Sequence, residues 1–164
     1  MGKIIIISAT SQNNLSLAKD LKILLDEMGA ESEMLNLEDV DLPLYTPKKS
    51  GPTEKIDALS EKFKESNGFV FCSPEYNGGV APILSNALSW ISVTTDGWRD
   101  GFNGKFALIC THSGGPGGRF LSSFRSQLEH LGTNVLARTI SVSNHKPLNA
   151  DSAKRILQGL VDLV

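Results

Sequence analysis

Short apolar runs alternate along the chain with longer stretches in which apolar residues recur at helical spacing. The runs are rich in β-branched and aromatic residues, and they lie at 3–8, 33–37, 68–73, 105–111 and roughly 135–142. Because both faces of these runs are apolar, they are typical of strands in a parallel sheet that is buried between two layers of helices. The pattern therefore predicts five parallel strands, each followed by a helix.

The predicted helices begin near Asn14, Thr53, Ala81, Gly118 and Asp151. The first two each pack on the sheet by one apolar stripe. These stripes are formed by Leu15, Ala18, Leu21, Leu25 and Met28, and by Ile56, Leu59 and Phe63. Gly29 is expected to end the first helix, Pro52 and Thr53 to cap the second, and Asp151 to start the last. The polar segment "EDVDLPLYTPKKSG" is predicted to be a surface loop.

These elements predict a three-layer α/β sandwich with the sheet order 2-1-3-4-5. The length of 164 residues fits a single domain over 1–164. In an open parallel sheet, ligands bind beyond the carboxyl ends of the strands, near the point where the strand order reverses. The loops after strands 1, 3 and 4 meet there, and they read "SATSQNN", "PEYNGG" and "THSGGPGGR". A ligand site is therefore predicted between these three loops.

Composition and charge narrow the classes of partner. The formal net charge is -2 and 21% of the residues are charged, which gives no electrostatic reason to expect nucleic acid or an anionic membrane. Cys72 and Cys110 each lie inside an apolar run, so buried reduced thiols are favoured over a disulfide or a redox pair. The start "MGKIIIIS" is too short for a signal peptide or a membrane span. Together these features predict a cytoplasmic protein that binds a small molecule.

The first loop is predicted to bind phosphate. Hydroxyls, side-chain amides and free backbone N–H groups converge there at the positive end of a helix dipole. The residues that supply them are Ser8, Thr10, Ser11, Gln12, Asn13 and Asn14. A helix cap with a tight turn is the alternative, although one serine or asparagine would suffice for it. Neither the Walker motif GxxxxGK[ST] nor the GxGxxG fingerprint is present.

The other two loops are suited to a flat ring. Pro74, Glu75, Tyr76, Asn77 and Gly78 offer backbone polar groups along one edge and an aromatic face, although Asn-Gly is also a common turn dipeptide. Ser113, Gly114 and Gly115 have small side chains or none, so the main chain can approach a ring closely. His112 is either a proton donor or an ordinary residue at the end of a strand. Arg119 is the cation placed to meet an anion near the third loop.

The stretch "PEYNGGVAPILSNALSW" resembles the signature PEYNxxxPxxLxNALxW of the NADPH-dependent FMN reductase family, which also includes flavin azoreductases and quinone or chromate reductases. The matching positions are Pro74, Glu75, Tyr76, Asn77, Pro82, Leu84, Asn86, Ala87, Leu88 and Trp90. "DLPLYTP" resembles the family's loop after strand 2, and "SGGPGG" resembles its third flavin loop. The first loop departs from the family pattern GSxRxxSxN, because it is shorter and has no arginine; only Asn14 matches its closing asparagine securely.

The resemblance implies a flavodoxin-like fold that binds FMN, takes hydride from NADPH or NADH, and passes electrons to a small-molecule acceptor. Residues 8–14 would hold the phosphate, 74–78 the isoalloxazine edge, and 113–115 its other polar rim. No catalytic side chain or metal is implied, because the cofactor carries out the chemistry. Family members are homodimers or homotetramers, which makes Trp90, Trp98 and Phe102 candidate interface residues.

Two other function classes remain open on the sequence. A flavodoxin-type electron carrier without its own NAD(P)H turnover would usually dock through a strongly acidic face, and the small net charge of this chain disfavours that mode. A flavin-free interaction domain on the same fold is not excluded by the fold alone. The sequence also leaves open the choice between NADPH and NADH, the physiological acceptor, and whether FMN is a bound group or a substrate.

Overall fold

The computed structural model describes residues 2–48 and 53–164. The main strands and the helices that cover them occur in the order that the apolar pattern predicts, with further short elements between them. In order they are β1 (Ile4–Ser8), α1 (Asn13–Glu27), β2 (Ser32–Asn36), α2 (Leu37–Val40), α3 (Thr53–Glu65), β3 (Gly68–Cys72), β4 (Glu75–Tyr76), β5 (Gly79–Val80), α4 (Pro82–Thr94), β6 (Phe106–His112), α5 (Gly118–His130), β7 (Asn134–Val135), β8 (Ile140–Val142) and α6 (Ala150–Val161).

The main sheet is parallel and has the order β2-β1-β3-β6, followed by β7 and β8. This confirms the predicted order 2-1-3-4-5, with β6 as the fourth strand. The fifth strand, however, is not the continuous run predicted at 135–142. β7 pairs with the start of β6 and β8 with its end. Beside the break, Arg125 on α5 donates to the carbonyls of Val135 and Leu136, at 3.2 and 2.6 Å.

Two apolar clusters lie on opposite faces of this sheet. One includes Phe63, Phe69 and Phe124 and packs under α3, α4 and α5. The other includes Leu21 and Leu157 and packs under α1 and α6. Both faces of the central strands are therefore buried, which gives the three-layer sandwich that the apolar runs predict.

Several local predictions are corrected by the structure. The stripe of α1 is rotated, because Leu17 and Leu24 are buried while Leu15 and Met28 are only partly buried. α6 begins one residue before Asp151, and its cap is Asn149, whose side chain accepts from the Ser152 N–H at 2.9 Å. The loop predicted between strand 2 and the next helix contains the short helix α2. The predicted cap at Pro52 and Thr53 lies outside the described side chains.

Candidate functional site

The three predicted loops line one cleft of about 220 Å³ beyond the carboxyl ends of β1, β3 and β6. Its described lining residues are Thr10, Ser11, Gln12, Asn13, Asn14, Pro74, Glu75, Tyr76, His112, Ser113, Gly114 and Asn144. The predicted site residues Ser8, Asn77, Gly78 and Gly115 lie outside this lining. Asn144 was not predicted, because it follows β8, whose strand signal is weak and interrupted. The cleft therefore brings together most of the predicted residues from loops that are far apart in sequence.

The N-terminus of α1, which follows the first loop, lies at the wall of the cleft. α1 starts at Asn13, and Gln12 before it has φ 69° and ψ −124°. None of the described side chains caps this end of the helix. The first N–H groups of a helix have no partner within the helix, and they carry its positive partial charge. An uncapped N-terminus beside an open cleft is suited to bind an anion.

Asn14 joins the first loop to the third. Its side-chain amide donates to the His112 carbonyl and accepts from the His112 N–H, both at 2.9 Å. Asn14 is 2% exposed, so these two bonds satisfy a buried amide. Its side chain thus fixes the position of the two loops, and the group it offers to a ligand is its backbone N–H.

Ser8 and Ser11 are also engaged with the protein. The buried Ser8 hydroxyl donates to the Thr10 carbonyl at 2.7 Å and so shapes the turn. The backbone N–H of Ser11 donates to the carboxylate of Glu38 at 2.9 Å, and the Asn36 amide donates to the Ser11 hydroxyl at 3.2 Å. Glu38 lies in α2, in the segment predicted to be loop, and the sequence carries no signal that would place it against the first loop.

The second loop is a tight hairpin. β4 and β5 pair antiparallel, and the two residues between them, Asn77 and Gly78, have φ of 52° and 69°. Positive φ at both central positions of a two-residue loop is the type I′ geometry that Asn-Gly favours. The Asn-Gly turn is therefore present beside the cleft. Tyr76, which precedes it, lines the cleft and is 49% exposed.

Glu75 connects this hairpin to the third loop and to α5. Its backbone N–H donates to the Ser113 hydroxyl at 2.8 Å, and that hydroxyl also bonds the Thr111 hydroxyl. Its carboxylate accepts from the backbone N–H of Phe120 in the first turn of α5 at 2.9 Å. Because a carboxylate at a helix N-terminus is favourable, Glu75 acts as the cap that α5 lacks from its own sequence.

The polar groups around the cleft fit a phosphorylated flat ligand. Nε2 of His112 is buried and has no hydrogen-bond partner among the described residues. At Gly114 and Gly115 an added Cβ would meet nothing within 4 Å, so the third loop leaves open space. An uncapped helix N-terminus can bind a phosphate, and bare backbone beside a half-exposed tyrosine ring can bind a flat ring.

Two signature residues hold the chain after α2. The Asn86 amide donates to the Pro43 carbonyl at 3.0 Å and accepts from the Tyr45 N–H at 2.7 Å. The Trp90 indole donates to the same Pro43 carbonyl at 2.7 Å. Trp90 and Phe102 are 4% and 0% exposed, so they are core residues and not the interface residues predicted. Of the three candidates, Trp98 is the one at the surface, 47% exposed.

Cys72 and Cys110 are buried thiols on neighbouring strands, paired in register and outside the cleft lining. Burial, together with the nearby Cys72 thiol, raises the pKa of Cys110 well above its ordinary value. No group of three or more possible metal ligands occurs in the described ranges. Within residues 2–48 and 53–164, none of the helices is long and apolar enough to cross a membrane.

Comparison with known proteins identifies the family. Residues 2–147 match the family model of NADPH-dependent FMN reductases. The chain is 33% identical over 148 residues to an NAD(P)H-dependent FMN reductase of Schizosaccharomyces pombe, a match that covers 83% of this chain and 67% of that protein. It is 28% identical over 112 residues to an NADPH azoreductase of a Bacillus species, a match that covers 67% of this chain and 60% of that protein.

Solved structures agree on the fold. The flavoenzyme NAD(P)H:acceptor oxidoreductase of Paracoccus denitrificans superposes with a TM-score of 0.80 at 20% identity, over 99% of this chain and 97% of that one. An archaeal flavodoxin superposes with a TM-score of 0.69 at 14% identity, over 98% and 96% of the two chains. The fold is therefore flavodoxin-like. The chain belongs to the NADPH-dependent FMN reductase family and is an oxidoreductase of that type, with FMN as its flavin and NAD(P)H as co-substrate.

Proposed function

We propose that the cleft between the three loops binds FMN and is the place where NAD(P)H and the electron acceptor react with it. The observation that carries this proposal is the uncapped N-terminus of α1 at one wall of a cleft whose other walls are the hairpin and the glycine loop. When bound, FMN supplies the chemistry: it accepts hydride from the nicotinamide and passes the electrons on. The protein binds and orients the reactants.

The three walls have separate tasks in this proposal. Residues 8–14 hold the phosphate through the N–H groups of α1 and the Thr10 hydroxyl, while the Ser8 hydroxyl and the Ser11 N–H bond within the protein. The backbone of 74–78 lies along the isoalloxazine edge, and Tyr76 covers part of the ring. Residues 113–115 form the other polar rim. The Asn14 bonds to His112 and the Glu75 bonds to Ser113 and Phe120 keep these walls at a fixed separation, as tight positioning of reactants requires.

We propose a small molecule as the acceptor. Relatives of this chain include the azoreductase described above and a quinone reductase of Escherichia coli, which is 36% identical over 78 residues and is matched over 46% of this chain and 40% of its own length. A flavodoxin-type electron carrier is the second candidate function, because an archaeal flavodoxin shares the fold. A carrier would accept no hydride from a nicotinamide by itself.

The test is an anaerobic titration of the protein reconstituted with FMN. We expect NADPH or NADH to bleach the flavin absorbance, and a quinone added afterwards to restore it over repeated cycles. A matched variant is Tyr76→Ala, which removes the ring from the wall of the cleft but none of the bonds that join the loops. A protein that binds FMN but is bleached only by dithionite would be a carrier.

We further propose a homodimer or homotetramer. Val93 and Trp98 are 52% and 47% exposed, and Trp98 lines a surface cavity of about 300 Å³ with Tyr45 and Leu88. A second copy would cover this apolar surface. Light scattering after gel filtration should show the oligomer for the parent and for Ile23→Ser, an exposed apolar residue on α1. A smaller species is expected for Trp98→Lys; an unchanged mass would place the interface elsewhere.

The two buried thiols bear on the cellular location. We propose a cytoplasmic protein, because two thiols that face each other across neighbouring strands are compatible with a reducing compartment.

A further inference from the structure

The first loop already carries an anion of the protein's own. The carboxylate of Glu38 accepts from the backbone N–H of Ser11 at 2.9 Å. Hydrogen bonds from the Ser11 hydroxyl and then from its N–H hold the pKa of Glu38 below its ordinary value, so this exposed carboxylate is ionised at neutral pH. The backbone N–H of Ser11 is thus directed at Glu38.

The placement of Glu38 is fixed from a second side. Its backbone N–H donates to the side chain of Asn36, the N-cap of α2, at 3.4 Å. The Asn36 amide donates in turn to the Ser11 hydroxyl at 3.2 Å. Glu38, Asn36 and Ser11 therefore form a closed set of hydrogen bonds, in which one turn of α2 supports the first loop.

A phosphate in this cleft would find little positive charge to oppose that carboxylate. Among the described residues that line the cleft there is no lysine or arginine, and Glu75 adds a further acidic side chain. The groups that favour an anion there are the uncapped N-terminus of α1 and the Thr10 hydroxyl in the cleft lining. A phosphate bound at the first loop would carry a charge of about -2, and the Glu38 carboxylate held on Ser11 of that loop would repel it.

We propose that Glu38 sets how strongly this cleft prefers a phosphorylated flavin: its carboxylate occupies the backbone N–H of Ser11 and repels the phosphate, so that FMN is held as an exchangeable ligand. This inference rests on the proposed function of the cleft, and it concerns the affinity and selectivity of that site. Glu38 acts through Ser11 and through its charge, and it lies outside the cleft lining.

The test compares FMN with riboflavin, which has the same ring and no phosphate. Dissociation constants are measured by quenching of flavin fluorescence, without turnover. Glu38→Gln keeps a hydrogen-bond acceptor and removes the charge. We expect it to lower the dissociation constant of FMN by about three- to tenfold and to leave that of riboflavin within about twofold of the parent value. The gain should shrink in 0.5 M salt, at which exposed charges are screened within about 4 to 5 Å.

Asp39→Asn is the matched control, since it removes the neighbouring carboxylate of the same helical turn. Asp39→Asn should change the dissociation constant of neither flavin. A gain in FMN affinity equal to that of Glu38→Gln would overturn the proposal. Equal effects of Glu38→Gln on FMN and riboflavin, or weaker FMN binding, would also overturn it. Glu38→Ala guards against a disordered loop, because a charge effect predicts tighter FMN binding there as well. A parent protein that binds neither ligand would instead refute the proposed function.

Discussion

Gly78 is the residue at which the hairpin tolerates least change. Its φ is 69°, and a Cβ at this position would lie 3.1 Å from Cδ of Arg119. A β-branched side chain in that conformation costs on the order of 1–3 kcal/mol. We expect Gly78→Val to fold with lower stability and to bind FMN and riboflavin equally poorly, because in our proposal the hairpin forms the wall for the ring and not the wall for the phosphate.

Gly118→Ala is the control for that variant. Gly118 lies outside the cleft lining and an added Cβ there meets nothing within 4 Å, so the melting temperature of this variant should stay close to that of the parent. Calorimetric titration of both flavins on both variants measures the difference. Parent-like binding by Gly78→Val would show that the ring does not lie against this hairpin.

Replacement of Asn14 should weaken the binding of both flavins, which would not be expected if Asn14 bound only the phosphate. Its amide makes two bonds to His112 across the cleft. Asn14→Ala leaves a buried N–H and a carbonyl unsatisfied, each at a cost of about 1–3 kcal/mol. We therefore expect a lower free energy of urea unfolding and weaker binding of FMN and riboflavin together. Ser16→Ala, at an exposed position of the same helix, is the control. Loss of FMN binding alone, with riboflavin binding unchanged, would contradict the role of Asn14 in joining the first and third loops.

At the scale of elements, Glu33 ties the edge strand β2 to its neighbours. Its carboxylate lies 3.4 Å from the Lys3 ammonium and 2.9 Å from that of Lys62 on α3. Partial burial would raise the pKa of Glu33, but the hydrogen bond and charge of Lys62, and then those of Lys3, outweigh burial and lower it. The pairs therefore stabilise the fold above the unfolded-state pKa, and this contribution is lost as the pH falls through the lower folded-state pKa.

Glu33→Gln should consequently be less stable than the parent by up to about 1 kcal/mol at pH 7, and equal to it near pH 3. Urea unfolding at pH 7, 5 and 3 measures this difference. Glu65→Gln removes a more exposed partner of Lys3, at 3.7 Å, and should show a smaller effect at pH 7. A difference for Glu33→Gln that persists at pH 3 would mean that shape, and not charge, explains it.

The sequence predicts elements well where local pattern decides them. β1 and β3 are apolar on both faces, and Ile56, Leu59 and Phe63 mark the buried side of α3, so their places follow from periodicity. The break between β7 and β8 could not be predicted in this way. At this break Arg125, ten residues before Val135, donates to the carbonyls of Val135 and Leu136, and such a contact leaves no periodic signal in the sequence.

For the whole molecule, the cleft was predictable because topology places the ends of β1, β3 and β6 side by side. What the sequence could not show is how its polar groups pair. Glu38 reaches the first loop from α2, and Glu75 caps α5, through contacts between segments 27 and 45 residues apart. Such contacts depend on packing in three dimensions, which no local pattern records.

The two apolar clusters share one sheet, and this predicts how the molecule unfolds. We propose that the chain is a single domain, because loss of either cluster exposes one face of β1 and β3. Phe63→Ala in one cluster and Leu157→Ala in the other should each lower the free energy of unfolding by about 2–5 kcal/mol. Both should shift the same single calorimetric transition, with equal calorimetric and van't Hoff enthalpies.

Flavin binding at the cleft also tests whether the two apolar clusters unfold together. Because the loops that we propose to bind FMN connect to both faces of the sheet, FMN at 100 times its dissociation constant should stabilise the whole transition by about 2.7 kcal/mol. The gain should be equal in the parent, Phe63→Ala and Leu157→Ala, provided that each variant retains its affinity for FMN. Two separate transitions, only one of them raised by FMN, would show that the two layers of helices unfold independently and that the chain is not one cooperative unit.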